Sequence, residues 1–274
     1  MKHLSKELEK IKKETERSHI YLFLDFDGTL TPIQDHPDDV FLDEGMRDIL
    51  RRLVDKSNVS VAIISGRQVS DVEKRVGVDN LIYAGNHGLE IKGPFGRRKL
   101  AEAVEAAKIM EDVKNVLEKK LAGIENVYIE DKGLTLSVHF RMVADDLQSK
   151  VEDSVNEAME PFAGSNRVRV TRGKKVLEVR PPIDWHKGKI VRYLIEKASS
   201  RAGMDIIPIY IGDDVTDEDA FSEINELSGY SIKIAPDDKV PSEARYYLKN
   251  IDEVRVLLSE LYVTQRQKGG DNNV

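Results

Sequence analysis

The chain has no cysteine. Disulfides, thiolate nucleophiles and Cys-ligated zinc are therefore excluded, and the redox compartment has no thiol signature to read. Long apolar runs are missing as well: none approaches the ~18 residues of a membrane-spanning helix. The segment Met1 to Arg17 is densely charged and holds no apolar signal-peptide stretch, so the expectation is a cytoplasmic protein with no membrane partner. On that expectation the sequon Asn58-Val59-Ser60 carries no meaning. Positive charge is in deficit, with 42 Lys and Arg against 49 Asp and Glu and a net charge of −7. That argues against a nucleic-acid partner, which calls for a basic face. What is present is 40% apolar and 33% charged residues over 274 positions, enough for one large or two small domains with a real core and a solvated surface.

Residues 4–16 read as a short amphipathic helix, carried by Leu4, Leu8 and Ile11 among Lys and Glu. Five short apolar runs then follow at 20–24, 59–64, 81–84, 206–211 and 231–234, with helical patterns between them, among them 44–56 and a stretch ending at Val76. Short strands that are apolar on both faces, alternating with helices, imply a parallel sheet covered on both sides. The middle is different. From about Gly93 to Pro182 the pattern is helix (98–121), two strands, helix (144–159), two strands (167–171 and 175–180). There Leu134, Leu136, Val138 and Phe140 alternate with Thr135, Ser137, His139 and Arg141, the signature of a sheet with one buried and one polar face. The expected organisation is an α/β domain of residues 1–92 and 183–274 with an α+β insert at 93–182. Gly93, Pro94 and Gly96 mark one crossing and Pro181-Pro182 the other. The tail 267–274 is expected to fray.

Candidate chemistry sits where apolar strands end, the place where open α/β sheets bind ligands. The first run ends in Asp25-Phe26-Asp27-Gly28-Thr29, with two carboxylates on the same side of the chain. Carboxylates held together need a cation between them or a shared proton, so the pair indicates a metal site, an acid/base pair, or both. The second run ends in Ser65-Gly66-Arg67, the third in Asn86-His87-Gly88, the fourth in Asp213, Asp214 and Asp217. An oxygen-only set without His or Cys favours Mg²⁺ over zinc, and Mg²⁺ held by few carboxylates usually meets phosphate. An EF-hand is excluded, because its sixth loop position is Glu218 where glycine is required. Ser65, expected at a helix N-terminus, and Lys187, at the start of a further helical pattern, suit a phosphate. Each feature also has a plain structural reading: capping carboxylates, an acidic helix start, a surface lysine. Their joint occurrence in this order favours catalysis.

In that order the residues resemble the four motifs of the haloacid-dehalogenase (HAD) superfamily of phosphohydrolases. The resemblance implies a Rossmannoid core with a parallel sheet and an inserted type-2 cap covering the site. It also implies Asp25 as nucleophile, Asp27 as general acid/base, and Ser65 and Lys187 as phosphate binders. Mg²⁺ would be held by Asp25, Asp213 and the Asp27 carbonyl, with Asp214 and Asp217 supporting. A narrower resemblance, from Ile20 to about Leu258, is to the trehalose-6-phosphate phosphatases. It is carried by Gly85-Asn86-His87-Gly88-Leu89-Glu90, Glu130-Asp131-Lys132-Gly133, His139-Phe140-Arg141 and the run Gly173 to Pro181. It implies that Glu130, Lys132, Arg141, Lys174 and Glu178 grip a sugar from the cap, and Arg67, Asn86 and His87 from the core. Glu130 and Lys132 are expected on one face of a strand, and Lys174 and Glu178 on one face of another. Trp185 is expected to be a packing anchor. The implied activity is phosphate release from the small molecule trehalose 6-phosphate, the last step of trehalose biosynthesis. Other phosphosugar phosphatases or mutases of the superfamily, for sucrose phosphate, mannosyl-phosphoglycerate or phosphomannose, share the core motifs. A catalytically silent sugar-phosphate binder would be expected to lack the nucleophile or a metal ligand. Residues 1–18 are expected either to pack on the core or to contact a separate synthase.

Overall fold

The computed structural model describes residues 1–16, 18–164, 166–202 and 205–265; the expected frayed tail lies outside them. The chain runs β1 (Lys2–His3), α1 (Leu8–Thr15), β2 (His19–Leu24), α2 (Glu44–Val54), β3 (Val59–Ile64), α3 (Val69–Val76), β4 (Ile82–Gly85), β5 (Glu90–Gly93) and β6 (Gly96–Lys99). Next come α4 (Ala101–Ala106), α5 (Met110–Leu121), β7 (Tyr128–Asp131), β8 (Leu136–His139), α6 (Asp145–Ala163), β9 (Arg169–Gly173) and β10 (Val176–Arg180). It closes with α7 (Lys187–Ala202), β11 (Ile206–Gly212), α8 (Glu218–Glu226), β12 (Tyr230–Ile234), β13 (Tyr246–Leu248) and α9 (Ile251–Thr264). Two compact units result, 1–97 with 185–274, and 98–184.

The first unit is built on a sheet of order β1-β13-β12-β11-β2-β3-β4-β5-β6. Its pairings from β1 through β4 are parallel, and β5 turns back antiparallel on β4. Strand alternation explains the two-sided burial. Leu22 and Leu24 of β2 enter one apolar cluster with α2, α3 and α9, while Tyr21 and Phe23 enter another with α7 and α8. Asp43 starts α2 by accepting the amide of Met46 at 3.1 Å, and a bidentate pair with Arg255 ties that cap to α9. Residues 1–16 pack on this unit: β1 extends the sheet beside β13, Lys12 Nζ pairs with Glu260 at 3.0 Å, and the Tyr230 hydroxyl donates to Glu14.

The second unit is an antiparallel sheet of order β7-β8-β10-β9. One face carries Leu136, Val138, Leu177 and Val179, packed with Val113 and Leu117 of α5 and Val151 and Val155 of α6. The single helix expected over 98–121 is instead α4 and α5, joined by a 3-10 turn at Ala107–Ile109. The expected polar face is less exposed than alternation implies, since Thr135 and Ser137 are buried. Ser137 stands between Glu130 and Glu178 in register, and the longer flanking side chains cover it.

Candidate active site

Strands β11, β2, β3 and β4 are parallel neighbours, so their carboxyl ends form one rim carrying Asp213, Asp25, Ser65 and Asn86. The ladder carries on to the rim itself: the Asp25 amide donates to Ile211 O at 2.9 Å and the Ser65 amide to Ala84 O at 2.9 Å.

Lys187, the first residue of α7, sends a buried Nζ to Asp25 Oδ1 and Asp217 Oδ1, both at 2.7 Å. Asp217 is fully buried and saturated. Its Oδ1 also accepts the Tyr210 hydroxyl at 2.6 Å, and its Oδ2 accepts the amides of Asp213 at 3.1 Å and Asp214 at 2.9 Å. Burial pushes the Asp217 carboxyl up, but the Lys187 charge and these donors outweigh it and hold the group below its ordinary value. Burial pushes Asp25 up too. Lys187 pulls it back, Asp217 and Asp213 add repulsion, and the net shift is well upward. Two carboxylates overcome the burial of Lys187 and raise its pKa, so it stays charged.

Carboxylate oxygens of Asp25, Asp213 and Asp217 lie within 4.8 Å of one another. Gly28 makes room for this: at φ +87° it adopts a backbone that side-chain-bearing residues avoid, and a Cβ there would run into the Asp213 carboxylate. A crowded, all-oxygen anionic set beside a cleared backbone fits a hard divalent cation. Asp214 contributes its amide to Asp217 and ends at the start of the 3-10 turn Val215–Asp217.

Asp27 is held differently. Arg67 Nε and Nη2 donate to its two oxygens at 2.8 and 2.7 Å. All three Arg67 nitrogens are engaged, since Nη1 donates to Asp71 at 3.0 Å. Arg67, expected to face a sugar, here holds a catalytic-type carboxylate. Ser65 is buried at the end of β3 rather than at a helix N-terminus, because α3 begins only at Val69. Its Oγ accepts the Arg67 amide at 3.1 Å, which leaves the O–H to donate. The loop at Asn86 and His87 is stitched to the Ser65 loop by amide bonds to Arg67 O at 2.8 Å and Ser65 O at 3.0 Å. Asn86 and His87 take positive φ, 50° and 55°. Gly66 admits the His87 ring, since a Cβ there would lie 2.9 Å from His87 Nε2.

In the second unit Glu130, Lys132 and Glu178 come together on the sheet face opposite the helices. Lys132 Nζ lies 3.4 Å from Glu178 Oε1 and 3.9 Å from Glu130 Oε2. Lys132 stands just past β7, yet its side chain joins the face as expected. Lys174 does not share a strand face with Glu178: it lies in the hairpin turn before β10, where Arg141 Nη2 donates to its carbonyl at 3.1 Å. Three residues without a predicted role join these groups. Tyr210 looks like core inside an apolar strand. His139 places Nε2 2.8 Å from Glu130 Oε2 and shares its sheet face. Asp71 braces Arg67 from α3, and its spacing of four from Arg75 on that helix is the signal the sequence carries.

Residues 23–252 match the family model for trehalose-phosphatase. The chain is 34% identical over 264 residues to trehalose-phosphate phosphatase B of Arabidopsis thaliana, covering 92% of this chain and 68% of that protein. Among solved structures, the C-terminal domain of C. albicans trehalose-6-phosphate phosphatase superposes with a TM-score of 0.81 at 26% identity, over 93% of this chain and 97% of that one. A haloacid dehalogenase-like hydrolase from Bacteroides thetaiotaomicron shares the fold at a TM-score of 0.60 and 15% identity, over 89% of this chain and 99% of that one. Among the described residues no helix is long and apolar enough to cross a membrane.

Proposed function

The chain belongs to the trehalose-phosphatase family of phosphoric monoester hydrolases, and from that premise we propose that it hydrolyses trehalose 6-phosphate to trehalose and phosphate with Mg²⁺ through an aspartyl-phosphate on Asp25. The observation that carries the reading is the buried Lys187 bridging Asp25 and Asp217 at 2.7 Å, with Asp213 beside them. An enzyme that attacks a phosphate dianion with a carboxylate must offset like charge, and a buried lysine with a permanent charge does so.

Asp25 is the nucleophile, and its free oxygen forms the bond to phosphorus as the sugar oxygen leaves. Asp27, aimed by Arg67, protonates that oxygen and then takes a proton from the water that cleaves the acyl phosphate. Ser65 donates its hydroxyl hydrogen to a phosphate oxygen. Asp25, Asp213 and the Asp27 carbonyl would hold Mg²⁺, and the chemistry it would supply is neutralisation of phosphoryl charge. Asp217 is an anchor rather than a ligand, because four donors already occupy its oxygens. In the second unit Glu130, Lys132 and Glu178 offer paired donors and acceptors of the sort a hydroxyl-rich sugar requires, with Arg141 and Lys174 as further candidates there; in the first unit the sugar-binding candidates are Asn86 and His87. On this reading the enzyme acts in the cytoplasm, and a synthase contact through residues 1–16 would have to use a segment already packed on the core. The test is phosphate release by Asp25→Asn: the account requires activity at background, and a fully active variant would sink it.

A further inference from the structure

Arg67 is one link in a longer chain of alternating charge. From the Asp27 carboxylate the series runs to Arg67, to Asp71 at 3.0 Å, to Arg75, whose Nε donates to both Asp71 oxygens at 2.8 and 2.7 Å, and to Asp38 Oδ1 at 3.0 Å. Arg75 Nη1 also donates to the carbonyls of Asp38 at 3.0 Å and Val40 at 2.8 Å. Both guanidiniums are buried, and each lies against a ring, Arg67 5.7 Å from Phe26 and Arg75 5.2 Å from Phe41. Asp71 and Arg75, four apart, lie on one face of α3, and Arg67 reaches the same carboxylate from the loop just before the helix. Asp71 is therefore the shared acceptor between the fork that holds Asp27 and the arginine that holds the Pro37–Asp39 turn.

We propose that Asp71 is a positioning residue for the reaction: it fixes the Arg67 fork and thereby the aim of the Asp27 carboxylate. The inference rests on Asp27 being the acid/base. A guanidinium fork orients a carboxylate only if it is itself fixed, and Arg67 is fixed on its far side by Asp71 alone among the described charged side chains. Loss of Asp71 also leaves Arg67 and Arg75 as neighbouring like charges with no anion between them, so the fork turns away from its present plane. Misaiming a proton carrier lowers turnover and leaves sugar binding intact.

The test uses the full chain with Mg²⁺, Asp71→Asn, Asp71→Glu and Asp27→Asn, and two substrates. Trehalose 6-phosphate has a sugar leaving group that needs a proton; 4-nitrophenyl phosphate has one that does not. D71N is expected to lower kcat/KM, which reports the steps up to departure of the leaving group and not the water step shared by both substrates, about tenfold on the sugar phosphate with KM changed less than about twofold, and less than about threefold on the aryl phosphate. D71E is expected to recover most of the loss. Equal losses on both substrates without rescue by D71E would mark a merely structural residue and overturn the proposal. So would a rise in KM at unchanged kcat, which would return Arg67 to the sugar. If D27N turns over the sugar phosphate normally, the acid/base reading itself has failed; if D27N is inactive and D71N is normal, only this inference has. Should D71N not fold, Arg75→Lys, which loosens Asp71, is read by the same ratio between substrates.

Discussion

Replacing Lys187 by Met removes a buried cation from between two carboxylates while keeping most of its volume. The Nζ sits 2.7 Å from both Asp25 and Asp217 and is almost fully excluded from solvent, so water cannot take its place cheaply. Removing one partner of a buried ion pair costs about 3–5 kcal/mol. Two features pull the value to the lower end. Asp217 keeps the Tyr210 hydroxyl and two backbone amides, and Asp25 already has a raised pKa and can escape its charge by taking a proton. The expected loss is thus about 3 kcal/mol at neutral pH, a large share of the roughly 5–15 kcal/mol typical of a domain. Without Lys187 the Asp25 value rises further above that of the unfolded chain. The folded variant then binds more protons than the unfolded one, and its stability climbs as pH falls through the folded value. The gap to the parent should narrow between neutral and mildly acidic pH. Urea unfolding in EDTA, followed by the fluorescence of Trp185, the single tryptophan, reads the unit that contains the site. A gap below about 0.5 kcal/mol, or one that widens as pH falls, would refute the reasoning.

Other outcomes follow from the same geometry. Mg²⁺ at a hundredfold excess over its Kd should raise the unfolding free energy of the parent by about 2.7 kcal/mol and leave Asp213→Asn unmoved, read by urea titration. Lys132→Ala should raise KM for trehalose 6-phosphate about tenfold or more and leave 4-nitrophenyl phosphate hydrolysis unchanged, because Lys132 lies between the Glu130 and Glu178 carboxylates proposed to bind sugar hydroxyls and the aryl phosphate has none. Asp43→Ala should cost roughly 1–2 kcal/mol, mostly the lost cap of α2, since the partly exposed Arg255 pair adds less. The Arg255 bond, with the Met46 amide and the Arg255 charge, holds Asp43 below its ordinary value against the upward push of burial. As pH falls the unfolded chain takes the proton first, so this contribution is present at pH 5 and fades below about pH 4, and D43A should lose that part of the acid dependence.

Much of the fold was legible because β2, β3, β4 and β11 are short apolar runs flanked by helical patterns, and such strands have few ways to be buried other than in a covered parallel sheet. The edges were not legible. Strands of two or three residues, β1 and β13, carry no periodicity, and their pairing is settled across more than two hundred positions of sequence. The break between α4 and α5 was hidden because helical patterning continues through it. Asp25, Asp27, Ser65, Lys187 and Asp213 could be picked out since each follows a strand or opens a helix. What those side chains bind was not visible. Arg67 turns to Asp27 and Asp71, and Asp217 collects four donors, through contacts that depend on which strands are neighbours. Tyr210 was concealed by its company: a tyrosine among isoleucines reads as core, and only the structure aims its hydroxyl at Asp217.

The central claim is the substrate, and a panel of phosphosugars assayed for phosphate release with Mg²⁺ and with EDTA tests it most directly. The account predicts that trehalose 6-phosphate is hydrolysed with a kcat/KM at least about a hundredfold above sucrose 6-phosphate, mannosyl-phosphoglycerate and mannose phosphates, and that EDTA abolishes the activity. A strong preference for any of the others, or full activity in EDTA, would contradict it.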